Sequence, residues 1–155
     1  MKIFIIDNSM MTWAWILNVL SRMKGMEITG FSSRVKDALF SISNNNPDIV
    51  FINHSMPGKS RFNVIEKIKQ INYNITVAVI GDNVPAGSEF KYINAGADYY
   101  FDRVREHKLN KSGLLRVVHD LKTKGKTKYY KSSIHYSPEI FQKDLVWSGN
   151  YSAAG

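Results

Sequence analysis

Cysteine is absent from the 155 residues. That excludes a disulfide framework, a thiolate metal site and a cysteine nucleophile, and it fits a reducing compartment. Long apolar runs are absent too: none approaches the roughly 18 residues that a membrane span needs. The amino terminus opens on a strand-like run that reaches Asp7, not on a charged segment followed by a long apolar one, so no secretory signal is read there. These features predict a soluble, cytoplasmic protein without membrane contact. No internal repeat and no low-complexity tract is present. There is no glycine-rich phosphate loop after the first strand, no Gly-x-Ser-x-Gly elbow and no paired His/Asp arrangement, so hydrolase and nucleotide-binding readings lack their usual residues. His107, His119 and His135 show no ligand spacing, and no metal site is predicted.

What is present is a chain of ordinary domain length with 44% hydrophobic residues, enough to fill one core. Its net charge of +8 is unevenly placed. Residues 1–102 carry 10 Lys/Arg against 9 Asp/Glu, whereas residues 103–131 carry 10 against 2. A basic late segment of this kind attracts anionic partners.

The hydrophobic period alternates along the chain. Lys2–Ile6 reads as a first strand ending at Asp7, Asn8 and Ser9. A helix follows, capped by Ser9, with Trp13, Ile16, Leu17 and Leu20 at i, i+3, i+4 and i+7. Residues 27–31 form a second strand, and Ser33 is placed to cap a helix with Val35, Ala38, Leu39 and Ile42 inward. Ile49 to Ile52 is a continuous apolar run bounded by Asn53 and Met56-Pro57-Gly58. It suits the central strand of a parallel sheet covered on both faces. A helix from Ser60 to about Gln70 turns Phe62, Ile65 and Ile68 inward. Residues 76–80 form a fourth strand, ending at Gly81 and Asp82. A short helix from Ser88 to Ala95 points Phe90 and Ile93 inward, and residues 99–101 form a fifth strand ending at Asp102 and Arg103. A last helix runs from about Ser112 to Thr123, with Leu114, Val117, Val118 and Leu121 on one face. Five apolar strands alternating with five amphipathic helices predict an α/β fold: a five-stranded parallel sheet, doubly wound by right-handed crossovers into a three-layer sandwich. The expected division is a domain over residues 1–123 and a basic linker and tail over 124–155, with a short helix over 138–146 started by Ser137 and Pro138.

Three stretches together carry a resemblance. They are the acid after strand one (Asp7), the run Asp48-Ile49-Val50-Phe51-Ile52 leading to Met56-Pro57-Gly58, and Ala95-Gly96-Ala97-Asp98 before Tyr100. Over residues 1–123 the chain resembles the receiver domain of two-component response regulators, with its flavodoxin-like, CheY-like fold. The resemblance implies a site at the carboxyl edge of the sheet. In that family two acids end strand one, an aspartate ending strand three accepts a phosphoryl group, a Thr or Ser ends strand four, and Lys-Pro ends strand five. This chain matches at Asp7 and places Asn8, Asn53, Gly81 and Arg103-Val104 at the other positions. Tyr100 matches the switch aromatic of the fifth strand.

These departures agree chemically. An amide oxygen is a poor nucleophile and its nitrogen a worse one. Magnesium prefers hard, anionic oxygens, of which the cluster keeps only Asp7. Gly81 has no hydroxyl, and Arg103 keeps a cation. The expectation is a pseudo-receiver: no catalytic residue, no cofactor, no magnesium, and an Asp7–Arg103 ion pair across the pocket. His54 directly follows Asn53 and is read as a loop histidine.

A receiver without phosphorylation works through contacts. The first helix, rich in Trp13, Trp15, Met10, Met11 and Val19, is too apolar to bury on one side and is read as a docking face for a kinase or adaptor, with Trp13 and Trp15 as its contacts. The resemblance implies a homodimer or protein contact through the fourth helix, fifth strand and fifth helix. Gly125, Tyr129-Tyr130 and Tyr136–Ile140 weakly resemble the linker of NarL/LuxR-type regulators. A second reading is therefore the receiver-plus-linker part of such a DNA-binding transcriptional regulator, with DNA contact through an output domain or through Lys122–Lys131. An enzyme or flavin binder on the same sheet is the third, least supported class.

Overall fold

A computed structural model describes residues 1–56, 60–82, 85, 87–104 and 113–124. Pro57 and Gly58, the segment from 125 to 155 with its expected linker and 138–146 helix, and most of the basic stretch lie outside the described residues.

Each apolar run noted above becomes a strand: β1 (Lys2–Ile6), β2 (Glu27–Ser32), β3 (Ile49–Asn53), β4 (Thr76–Gly81) and β5 (Tyr99–Asp102). They form one sheet in the order β2-β1-β3-β4-β5, every pair parallel. The helices between them are α1 (Met10–Leu20), α2 (Val35–Asn45), α3 (Ser60–Ile71) and α4 (Glu89–Asn94); α5 (Gly113–Lys124) follows β5. Strand alternation sends Phe4, Ile6, Val50, Ile52, Val77 and Val79 to one face, against Ala38, Ile42, Val64, Ile65 and Ile68 of α2 and α3. Ile3, Ile5, Ile49, Phe51, Ala78 and Ile80 face the other way, against Ile16 and Leu20 of α1 and Leu114, Val117 and Val118 of α5. The result is the predicted three-layer α/β sandwich, with β3 buried along its whole length. Among the described residues no helix is long and apolar enough to cross a membrane.

Local details differ from the sequence reading in two places. The α2 start is not capped by Ser33: Arg34 is the N-cap residue, and the Ser32 hydroxyl accepts from the Arg34 N–H at 3.1 Å one residue earlier. In α4, Phe90 is exposed and Tyr92 is buried instead. Tyr92 stacks on Tyr100 at 5.6 Å and touches Phe62 at 5.0 Å, and in so short a helix one register step decides which ring turns inward. Ser9 does cap α1, accepting from the Thr12 N–H at 3.4 Å.

Edge strand β2 fits its neighbour through one glycine. The β1–β2 register shifts between Ile3 and Phe4, and Gly30 faces Phe4 there. A Cβ on Gly30 would stand 2.5 Å from Phe4 Cε2. Gly30→Ala must displace a buried ring and is expected to cost about 1–3 kcal/mol in chemical denaturation. Combining it with Phe4→Leu should cost less than the sum of the two single changes, because the smaller side chain vacates the clash. Additive costs would refute this close packing.

Candidate functional site

The carboxyl ends of β1, β3, β4 and β5 bring four polar positions to one edge of the sheet: Asp7, Asn53, the Gly81–Asp82 pair and Asp102–Arg103. In open parallel sheets this is the edge where ligands and chemistry collect. Three of these side chains are almost wholly buried, Asp7 at 1%, Asn53 at 6% and Asp102 at 6% exposure.

Asp7 and Asn53 bond directly. Asn53 Nδ2–H donates to Asp7 Oδ1 at 2.8 Å and lies 3.4 Å from Thr12 Oγ1. The Ser9 N–H donates to the same Asp7 oxygen at 2.6 Å. The other end of the amide is fixed by the Ser55 N–H, which donates to Asn53 Oδ1 at 2.8 Å. A backbone N–H only donates, so the atom facing Ser55 is the oxygen and the atom facing Asp7 is the NH2. Asn53 thus reads both neighbours in a way an aspartate cannot: an aspartate would accept from Ser55 equally well but would turn a second carboxyl oxygen toward Asp7. Asp7 Oδ2 is buried and has no hydrogen-bond partner among the described residues.

The expected Asp7–Arg103 ion pair does not form. Arg103 forks instead onto Asp82, its Nε donating to Oδ1 at 2.6 Å and its Nη2 to Oδ2. Strand order explains the choice. Gly81 pairs Asp102, so the residues that follow them are neighbours across adjacent strands. The strand that Asp7 follows lies three spacings from the one that Arg103 follows, roughly 14 Å between backbones at about 4.8 Å each, so the Asp7 charge is felt by Arg103 without a direct pair. The hydrogen bond that Arg103 donates to Asp82 is the first cause that holds its pKa above the ordinary value, opposed by burial and aided by the charges of Asp82, Asp7 and Asp102.

The remaining sequence-selected residues are placed as follows. Asn8 is exposed beside the pocket, and Gly81 is buried at the end of β4. Tyr100 is partly buried against the α3–α4 side of the core. Trp13 and Trp15 are not the exposed face expected of them. Both are partly buried against the α1–α5 side of the core, Trp13 beside Phe31 at 5.7 Å and Trp15 beneath the Arg103 guanidinium at 5.4 Å. The exposed large apolar residues of α1 are Met10 at 68% and Met11 at 81%, in its first turn.

Sequence reasoning missed Thr12, Ser55 and the partnership of Asp82. Thr12 had a signal: with Ile16 and Leu20 it repeats at four-residue intervals along the buried stripe of α1. Ser55 acts through its backbone, which no side-chain pattern reveals. Among the described residues no group of three His, Cys, Asp or Glu side chains is arranged to hold a metal ion.

Comparison with known proteins places this geometry. The sequence profile of the response regulator receiver domain matches residues 3–111. The sensory transduction protein LytT of Bacillus anthracis is 32% identical over 72 residues, a match that covers 44% of this chain and 29% of that protein. The chain thus spans less than a third of the curated relative it matches. A LuxR family two-component response regulator from Aurantimonas sp. SI85-9A1 superposes with a TM-score of 0.70 at 16% identity, over 93% of this chain and 97% of that chain. The response regulator domain of Thermotoga maritima CheB superposes at 0.64 with 12% identity, over 79% of this chain and 93% of that one. The isolated receiver domain of RcsB from Salmonella enterica serovar Typhimurium gives 0.67 at 15%, over 81% and 89%. At such identities the shared property is the fold.

His54 offers a direct check on the edge. Its Nδ1 lies 3.0 Å from Ser55 Oγ, and its carbonyl accepts from Arg61 Nη1 at 3.1 Å. Burial first, then the Arg61 charge, lower its pKa from 6.5, against the pull of Asp82 and Asp102. The folded state therefore favours the neutral ring. Its contribution to stability is complete above pH 6.5 and declines as the pH falls toward the lowered folded value. An NMR titration should place the His54 midpoint below 6.5, and Arg61→Gln should raise it; a midpoint at or above 6.5 contradicts this environment.

Proposed function

The chain belongs to the response regulator receiver domain family, and from that membership we propose that it is a receiver whose output does not depend on phosphoryl transfer to its β3 position. It works in two-component signalling through protein contacts made by the surface that the folded sheet presents.

One observation carries this reading: the residue ending β3 is a hydrogen-bond donor toward Asp7. Attack on a phosphorus centre needs an electron-rich oxygen facing the incoming group. Asn53 has its only side-chain oxygen bonded to the Ser55 N–H and turns its side-chain N–H bonds into the pocket. The surrounding residues support the same conclusion. Magnesium binding in this family depends on clustered carboxylates, and this donor set does not fit it. Asp7 has one oxygen taken by the Asn53 amide and the Ser9 N–H, and that amide also lies 3.4 Å from the Thr12 hydroxyl. The amide hydrogens put partial positive charge where a cation would have to approach. Gly81 offers no hydroxyl, and the Arg103 fork is already filled by Asp82. Met10 and Met11, exposed on a helix that contains no charged residue, support α1 as an apolar docking face.

A second reading is favoured by the tail. The basic excess of residues 103–131 and the linker-like Gly125–Ile140 suit the regulatory part of a LuxR-type DNA-binding regulator. A salt-sensitive mobility shift with duplex DNA would favour it.

Incubation with phosphoramidate or acetyl phosphate and Mg²⁺, followed by intact-mass measurement, tests the first reading. The expected result is no phosphoryl adduct on the receiver. A stoichiometric adduct mapped to an aspartate of the pocket contradicts it.

A further inference from the structure

Arg103 touches three elements at once. It stands at the end of β5, its guanidinium forks onto Asp82 at the end of β4, and the same guanidinium lies 5.4 Å from the ring centre of Trp15 in α1. Trp15 in turn packs on the α1–α5 side of the core. A planar, delocalised cation is suited to both contacts at once: its edge fits a carboxylate and its face lies over an aromatic ring. The Asp82 carboxyl at the end of β4 and the Trp15 ring on α1 therefore share one group.

The fork is shielded mainly on the Arg103 side, whose side chain is 20% exposed against 40% for Asp82. Desolvation of this kind strengthens both the ion pair and the cation–ring contact relative to open solvent. Among the described residues Arg103 supplies the side-chain hydrogen bonds that Asp82 accepts, so an opened fork also releases Arg103 from the ring.

We propose that Arg103 is a positioning residue that couples helix α1 to the end of β4, so that the position of Asp82 and the packing of Trp15 change together. The coupling is reciprocal: a partner that shifts α1 disturbs the Asp82 fork, and a change at the end of β4 loosens Trp15. Its consequence for signalling rests on the reading of α1 as the docking face. The coupling itself does not, because it is read within the isolated chain.

The test uses the full chain labelled with 5-fluorotryptophan. Its three tryptophans are Trp13, Trp15 and Trp147, and the Trp15 resonance is assigned by its loss in Trp15→Phe. Asp82→Asn is expected to move the Trp15 fluorine resonance by more than its linewidth while the Trp13 resonance stays in place. Arg103→Gln should produce a shift of the same kind. Asp82→Asn added to Arg103→Gln should then produce no further movement. Arg103→Lys keeps the charge and loses the fork, and it should also displace the Trp15 signal. An unmoved Trp15 resonance in Asp82→Asn overturns the proposal, as does an equal shift caused by Asp82→Asn in the Arg103→Gln background. A general loss of folding is recognised by simultaneous movement of Trp13, in which case the Arg103→Lys spectrum decides. Failure of the coupling leaves the phosphorylation-independent reading intact, since that reading is tested by the mass of the treated protein.

Discussion

The structure depends on how a buried carboxyl is satisfied at the end of β1. Asp7 sits in a place that only short strands and covering helices could create, with Ile3 to Ile6 behind it and Thr12 of α1 beside it. A polar group so placed must find donors inside the protein or destabilise it. Ser9 supplies one through its backbone, and Asn53 supplies the second across the β1–β3 pair. The amide also accepts from Ser55, so it ties the strand to the start of the β3–α3 connection. One side chain thereby joins two central strands and a loop at the sheet's carboxyl edge.

The neighbouring charged pair follows the same logic. Arg103 and Asp82 satisfy each other at the ends of adjacent strands, and the guanidinium also lies over the Trp15 ring. Amide against carboxyl on one side and carboxyl against guanidinium on the other pair most of this edge internally, with Asp7 Oδ2 the buried oxygen left without a partner among the described residues. On the proposed reading, the pocket needs neither metal nor phosphoryl group to hold its shape. The shape passes outward through α1, whose first turn exposes Met10 and Met11, and through the Phe62–Tyr92–Tyr100 contacts on the opposite face.

Most of the fold was legible in the sequence because its signals are local. The continuous run Ile49–Ile52 announces a strand buried on both faces, and the observed β3 spans that run and Asn53. The stripe Leu114, Val117, Val118 and Leu121 lies on the α1–α5 side of the core as its spacing implies. What the sequence did not disclose needs register or geometry. Arg103 was matched to Asp7 by charge alone, whereas sheet order sets it beside Asp82. Trp15 was judged exposed because one helix face seemed too small for it, and the covering group comes from a strand more than eighty residues away. The orientation of the Asn53 amide is decided by a backbone N–H that no side-chain pattern records. The position of Asn53 was readable; what it bonds to was not.

The central claim is that Asn53 closes the Asp7 pocket with its own N–H groups. The most direct measurement is a titration with millimolar Mn²⁺, followed by the NMR signals of the Asn53 side-chain amide and the Ser9 backbone amide. The account predicts that both signals persist without site-specific paramagnetic broadening, as the amide stays bonded to Asp7. Saturable broadening of these two signals ahead of the rest of the spectrum would show a cation held at Asp7 and would contradict it.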